Sequence, residues 1–272
     1  MRIRNVLFAS LALGVLELSA PSVQGATPNI NSAVLHTRVF NDFPNSTLTT
    51  TNNYPALIEF FDGPVGPSTF ANRHNFRLSD NGGANDAVFL NGDAFIFEAD
   101  VTLLGTGPVE GGLQVSPWYS QQVDGVFNIR LNDGEVAAFG GRLPFYNFTA
   151  NHGVLYAAGT TIHQKMIYRP NGLSQASPAT MQYIYTDASG TYSSGQLAFD
   201  EGNVAEGVIY GNWGILNDAR VGGMVQVMNF DQNQHSAGAR FENMSFSVPE
   251  PTTFVLFGLA LIGLTGIRRR SK

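Results

Sequence analysis

No cysteine occurs in the 272 residues. That absence excludes disulfide scaffolds, thiolate-ligated metal centres and cysteine nucleophiles. Lysine is nearly absent as well: Lys165 and Lys272 are the only two, and charged side chains make up 13% of the chain. The 15 basic residues stand against 21 acidic ones, a net charge of −6. A phosphate-binding face needs the opposite balance, so nucleic acid is not an expected partner. The five histidines, His36, His74, His152, His163 and His235, are dispersed with no pair at i, i+2 or i+4, which leaves no transition-metal spacing. Neither a Gly-x-Ser-x-Gly elbow nor a P-loop is present, and no internal repeat points to a propeller or solenoid. What the chain does have is 43% hydrophobic residues, 11% aromatic residues and 30 glycines, enough for one substantial core and too apolar for a disordered chain.

The two ends are set apart by composition. Arg2 and Arg4 precede an uncharged run from Val6 to Leu16, and Val23 and Gly25 occupy the small-residue positions before Ala26. This is the pattern of a secretory signal peptide over residues 1–25. Its apolar run is too short for a permanent span, which takes about 20 residues. At the other end, Val248-Pro249-Glu250-Pro251 leads into the apolar run Phe254 to Ile267 and then Arg268-Arg269-Arg270. The prolines end the preceding strand and keep the link extended. Fourteen helical residues reach about 21 Å against a hydrocarbon core of about 30 Å, so this helix spans only with help from Thr252, Thr253 and the arginine stems. The arginines favour a cytoplasmic C-terminus.

This arrangement resembles the PEP-CTERM sorting signal, a tail also labelled ice-binding protein C-terminal domain. The resemblance implies recognition by an exosortase, a membrane protease of Gram-negative, exopolysaccharide-producing bacteria. Pro249, Glu250 and Pro251 would be the recognition motif and Arg268, Arg269 and Arg270 the retention cluster. It further implies an exported protein, anchored in the inner membrane during sorting and then placed at the cell surface, in the extracellular matrix or in a biofilm. Ice binding itself has no support, because the single run Thr47, Thr49, Thr51 does not recur as a flat array. Without its ends the chain loses six of its basic and two of its acidic groups, leaving residues 26–249 with nine against nineteen, a net −10. Such a domain would avoid anionic lipid and suits neutral glycans or divalent cations.

Between the ends, short alternating runs are punctuated by Gly, Asn, Asp and Pro, the signature of an all-β domain over residues 26–247. Strands are expected at Val34–Phe40, Ala56–Phe61, Asn75–Leu78, Ala87–Leu90, Phe95–Thr102, Phe127–Leu131, Glu135–Phe139, Thr161–Arg169, Met181–Thr186, Gln196–Phe199, Met224–Phe230 and Ala239–Phe246, with a hairpin at Asn132-Asp133-Gly134. No helical periodicity with caps interrupts them. That count in about 220 residues suits a two-sheet β-sandwich or jelly roll.

The run Phe95 to Leu103 resembles a core strand of the concanavalin A-like lectin and glucanase jelly rolls, whose concave sheet often holds carbohydrate. Glu98 and Asp100 fit the first two acidic positions of the glucanase signature, but Leu103 stands where its second glutamate belongs, and catalysis is therefore not expected. Glu98, Asp100, Asn128, Arg130, His163, Lys165 and Gln182 all lie opposite the apolar side of their strands. They are expected to line one polar groove for glycan, with Trp118, Tyr119, Tyr146 or Trp213 as stacking surfaces. Two acidic loops, Asp80, Asn81 to Asp86 and Asp200 to Asn203, offer oxygens to Ca²⁺, but such clusters are ordinary turn chemistry and no cofactor is expected. The sequons at Asn45, Asn147 and Asn243 are expected to be silent. Three functions follow: a non-catalytic, exosortase-sorted protein that contacts polysaccharide, a polysaccharide-active enzyme on the same sandwich, or a structural protein that spaces or self-associates.

Overall fold

The computed structural model describes residues 27–66, 70–120, 123–140, 143–199, 213–229 and 233–249. Both termini, with the expected signal and tail helices, lie outside the described residues. Among the described residues, fifteen strands form two antiparallel sheets. In the first sheet the order is β1 (Ser32–Asn41), β4 (Ala71–Ser79), β14 (Arg220–Met228), β6 (Val109–Ser120), β7 (Val123–Arg130), β8 (Val136–Phe139) and β9 (Tyr146–Asn147). The second runs β12 (Gly190–Ser193), β11 (Thr180–Asp187), β10 (Ile162–Arg169), β5 (Phe95–Gly105), β15 (His235–Ser247), β3 (Leu57–Val65) and β2 (Thr47–Asn53), with β13 (Leu197–Ala198) also on β11. The chain passes repeatedly from one sheet to the other, and half of the neighbouring pairs along the two sheets join strands that are not consecutive in sequence: a jelly-roll sandwich.

Alternation fixes which side of each strand faces inward. In β5, Phe95, Phe97, Ala99, Val101 and Leu103 are buried while Ile96, Glu98 and Asp100 are half-buried. The layers meet through aromatic pairs. Phe76 of β4 meets Phe241 of β15 edge-on at 5.0 Å, and Phe127 of β7 tilts against Tyr183 of β11 at 5.3 Å. Gly223 permits that approach, since a Cβ there would stand 2.4 Å from the Phe76 ring and 2.9 Å from that of Phe241.

Two polar insertions cross this apolar layer. Gln164 of β10 points inward, accepts from the Leu113 N–H (3.1 Å) and donates to the Phe127 carbonyl (3.0 Å), joining the sheets where Gly112 brings the β6 and β7 backbones too close for a Cβ. At the other side Asp62 of β3 meets His74 of β4 at 3.1 Å and accepts from Asn72 Nδ2 at 2.7 Å. The Arg38 backbone N–H donates to His74 Nδ1, which places the ring proton on Nε2, toward Asp62.

Two expected features differ. Ala87–Leu90 is not a strand; only Phe89 makes an isolated bridge, to Ala219. One helical turn, α1 (Phe148–His152), follows β9. Asn147 caps it by accepting from the Ala150 N–H, and Gly153 ends it in the left-handed region.

Candidate functional site

The polar residues expected to share one groove are divided between two surfaces. Glu98 and Asp100 on β5, His163 and Lys165 on β10 and Gln182 on β11 belong to the outer side of the second sheet. Asn128 and Arg130 on β7 belong to the outer side of the first. The core lies between them. Alternation told which side of its own strand each residue takes, but not which sheet that strand joins.

On the second sheet the carboxylates are consumed by ion pairs. Lys165 Nζ stands 2.8 Å from Glu98, and His163 reaches Asp100 at 2.8 Å and Glu98 at 3.5 Å. A bulge in β15, with Asn243 at φ 51°, lets Asn243 Nδ2 donate to the other Asp100 oxygen at 2.8 Å. Burial alone would raise the Glu98 carboxyl, but the hydrogen bond and charge of Lys165 and the charge of His163 hold it below its ordinary value. A general acid needs the reverse.

The outer side of the first sheet is built differently. Cross-strand register sets Arg77, Gly222, Gln114 and Val126 in one row, Asn75, Met224, Gly112 and Asn128 in the next, and Arg73, Gln226, Glu110 and Arg130 in the third. Facing pairs in an antiparallel ladder share a side of the sheet, so these residues form one surface. Its middle is out of solvent, with Asn75, Gln114 and Ser116 at 0% exposure and Asn128 at 1%. Arg77, Glu110, Arg130, Arg220 and Gln226 around it are half-buried. Phe40, opposite Arg73 in β1, is exposed and packs edge-on against Phe70.

Charge on this surface is balanced. Arg77 lies 3.0 Å from Asp86, Arg220 lies 4.0 Å from the same carboxylate, and Arg130 pairs with Asp133 at 2.7 Å and with Glu135. Glu110 accepts from Asn128 Nδ2 (3.0 Å) and Gln226 Nε2 (3.2 Å). Burial raises its carboxyl against the lowering effects of Asn128, Arg130 and Arg73. Arg73 donates to Asn75 Oδ1 and to Gln114 Oε1, both at 3.2 Å. Hydrogen-bonding capacity is left over: among the described residues, Gln114 Nε2, Ser116 Oγ and Asn128 Oδ1 have no partner. An unmet buried polar group costs about 1–3 kcal/mol, so three on one floor are held at some expense to stability.

Sequence reasoning missed Arg73, Asn75, Glu110, Gln114 and Ser116. The signal was the polar-apolar alternation of Arg73 to Leu78 and of Leu113 to Ser116. In β6 it was obscured by Gly105, Gly107, Pro108, Gly111 and Gly112, which read as loop.

The remaining candidates lie elsewhere. In the loop after β4, Asp86 is taken by His36 (2.7 Å) and Arg77, and Asn81 Oδ1 accepts from Ser79 Oγ and the Asn85 N–H. Asp80 is exposed and offers its backbone carbonyl to Asn31. The loop is thus braced by its own hydrogen bonds. Among the described residues, no three His, Asp or Glu side chains are grouped to hold a metal. Trp213 is half-buried, and its carbonyl accepts from the Ala179 N–H beside β11. Tyr146 packs on Phe148 and bonds His152. The side chains of Trp118 and Tyr119, the loop Asp200 to Asn203, and Glu250, Pro251, Arg268, Arg269 and Arg270 lie outside the described residues, while Pro249 closes the described chain.

Residues 247–270 match the PEP-CTERM protein-sorting motif. The chain carries that motif, which implies exosortase processing, export and membrane-associated sorting. No curated protein matches the sequence. Among solved structures, a family 7 alginate lyase, A1-II′, overlaps 71% of this chain and 80% of its own at 11% identity, with a TM-score of 0.43. A seed lectin of Lotus tetragonolobus overlaps 83% and 97% at 11% identity and a TM-score of 0.35. The lectin-like arcelin-5 of Phaseolus vulgaris overlaps 82% and 96% at 6% identity, again at 0.35. These overlaps are too shallow to carry substrate or chemistry over to this chain.

Proposed function

We propose that this exported, exosortase-sorted protein is a non-catalytic polysaccharide-binding component of the surface or extracellular matrix of a Gram-negative cell, and that it binds through the outer side of the first sheet. The observation that carries the reading is the floor of unpartnered polar atoms at Gln114, Ser116 and Asn128. These three atoms are closed to solvent, so a glycan seated on the half-buried rim of Arg77, Glu110, Arg130 and Gln226 meets them only where that rim gives way; sugar hydroxyls, which donate and accept at once, then do so without bringing charge. The paired arginines favour a neutral polysaccharide over a polyanion. Exposed Phe40 adds an apolar ring at the border of that floor.

The test is retention of the full chain, purified in detergent, on insoluble and immobilised neutral polysaccharides. Gln114→Ala and Asn128→Ala are each expected to weaken retention about three- to tenfold, the range for one lost hydrogen bond. Glu98→Gln, on the opposite surface, is expected to change nothing. Retention that Glu98→Gln abolishes and Gln114→Ala spares would reject this surface.

One observation favours a second reading, a polysaccharide-active enzyme. Glu110, on the same surface, carries the raised carboxyl that a general acid needs. Release of reducing ends that Glu110→Gln abolishes would move this reading to first place.

A further inference from the structure

The four sheet rims are not alike. In β1, pairing with β4 is irregular between His36 and Phe40, and Arg38 there adopts φ 54°. The rim strand β9 has two residues and runs straight into α1, and β12 has four residues beginning at Gly190. A bulge, shortness and glycine each blunt an open edge. The remaining rim is β2, Thr47–Asn53, with the sequence Thr-Leu-Thr-Thr-Thr-Asn-Asn. It is seven residues long, in unbroken register with β3 from Thr47 opposite Gly63 to Asn53 opposite Leu57. No charge, proline or glycine interrupts it, and five of its seven residues are exposed. Among the described residues, only β3 pairs with it.

From this we infer that β2 is a self-association edge, on which a second copy of this chain adds its own β2 antiparallel across a two-fold axis at Thr50. The strand itself argues for a second copy. An antiparallel self-pair centred on Thr50 sets Thr49 beside the partner copy's Thr51 and Thr47 beside its Asn53. Threonine pairs are favourable cross-strand neighbours in a solvent-facing ladder. Two copies of an uncharged strand bring no like charges together at the seam, whereas most of an acidic protein's surface would. A two-fold pairing also closes on itself, so the product is a dimer with one continuous sheet and no onward fibre from this edge. Seven residues bury little area, so the association is weak in dilute solution and gains strength where copies are crowded on one surface.

The absence of cysteine makes the test clean, because an introduced thiol can pair only with its own copy. Thr50→Cys in the full chain, kept in detergent and mildly oxidised, is expected to give a covalent dimer as the major species. Paired Cα atoms in such a ladder stand about 4.5–5.5 Å apart, within disulfide reach. Thr47→Cys places the two thiols roughly 20 Å apart and is expected to stay monomeric under the same conditions. Sedimentation of the cysteine-free chain should show a concentration-dependent dimer, and Thr50→Lys should abolish it while leaving the circular dichroism spectrum unchanged. Equal cross-linking of both cysteine variants, a dimer that survives Thr50→Lys, or a chain that stays monomeric up to about 1 mM would each overturn the inference. None of these readouts involves glycan, so the result stands apart from the binding reading.

Discussion

Asp62 is 1% exposed and carries a charge inside a largely apolar layer. Burial alone would raise its carboxyl; hydrogen bonds from His74, Ser46 and Asn72 outweigh that and hold it at about 2. Arg38 Nη2 stands 3.7 Å from the free carboxylate oxygen, an ion pair without a hydrogen bond. Since the folded value lies below the unfolded one of about 3.9, the unfolded chain binds the proton first as pH falls. The stabilisation is therefore complete above pH 4 to 5 and is lost between there and pH 2. The shift corresponds to about 2–3 kcal/mol. Denaturant melts of the wild type should weaken over that window, and Asp62→Asn should be less stable at pH 7 but lose less on acidification. An Asp62→Asn variant with the same pH slope as the wild type would show that other carboxylates control acid unfolding. Nothing in the spacing of Asp62 and His74 along the chain marked them as partners, because their contact depends on β3 and β4 lying in different sheets.

At the scale of the element, the strands with clean alternation were legible and those with glycine were not. β5, β7, β8, β10 and β11 follow the pattern of their own residues, and the Asn132-Asp133-Gly134 turn joins β7 to β8 as its dipeptide signal requires. β6 was invisible because its glycines serve close backbone contact with the strands beside it, β14 and β7, a tertiary need with no local signature. β2 was read only as an isolated threonine run, although exposed threonines are ordinary in a rim strand. The candidate surface was legible only as far as Asn128 and Arg130; its other members stand on strands whose place in the sheet is set by long-range pairing. Gln164 shows the same limit. A glutamine between Ile162 and Met166 looks misplaced until Leu113 N–H and Phe127 carbonyl are seen to need it. Gln164→Leu should strand both groups and destabilise the fold by about 2–4 kcal/mol, read as a lower denaturation midpoint. An unchanged midpoint would mean that the two strands close the gap themselves.

For the whole molecule, the sorting motif and the sandwich are separable parts. Deleting residues 249–272 removes the Pro-Glu-Pro element, the apolar run and the arginines while leaving β15 entire. The truncated protein is expected in the culture medium as a folded, soluble product, measured by fractionation and by its unchanged β spectrum. Retention in the envelope at the wild-type level would mean that the sandwich alone holds the protein there.

The route by which the tail leaves the domain has a mechanical consequence. Among the described strands β15 is the last before the motif and the longest at 13 residues, and it lies inside its sheet with β5 on one side and β3 on the other. Its final residues, Phe246 and Ser247, still pair with Phe97 and Ile96, and Thr27 at the opposite terminus bonds the carbonyl of Ala94 next door. Both ends of the described chain thus lie at one end of the sandwich. Any pull on the tail runs along the axis of β15 and loads two hydrogen-bond ladders side by side, in shear, instead of peeling one open bond by bond. Whatever holds the tail is fastened to the strand best placed to bear tension.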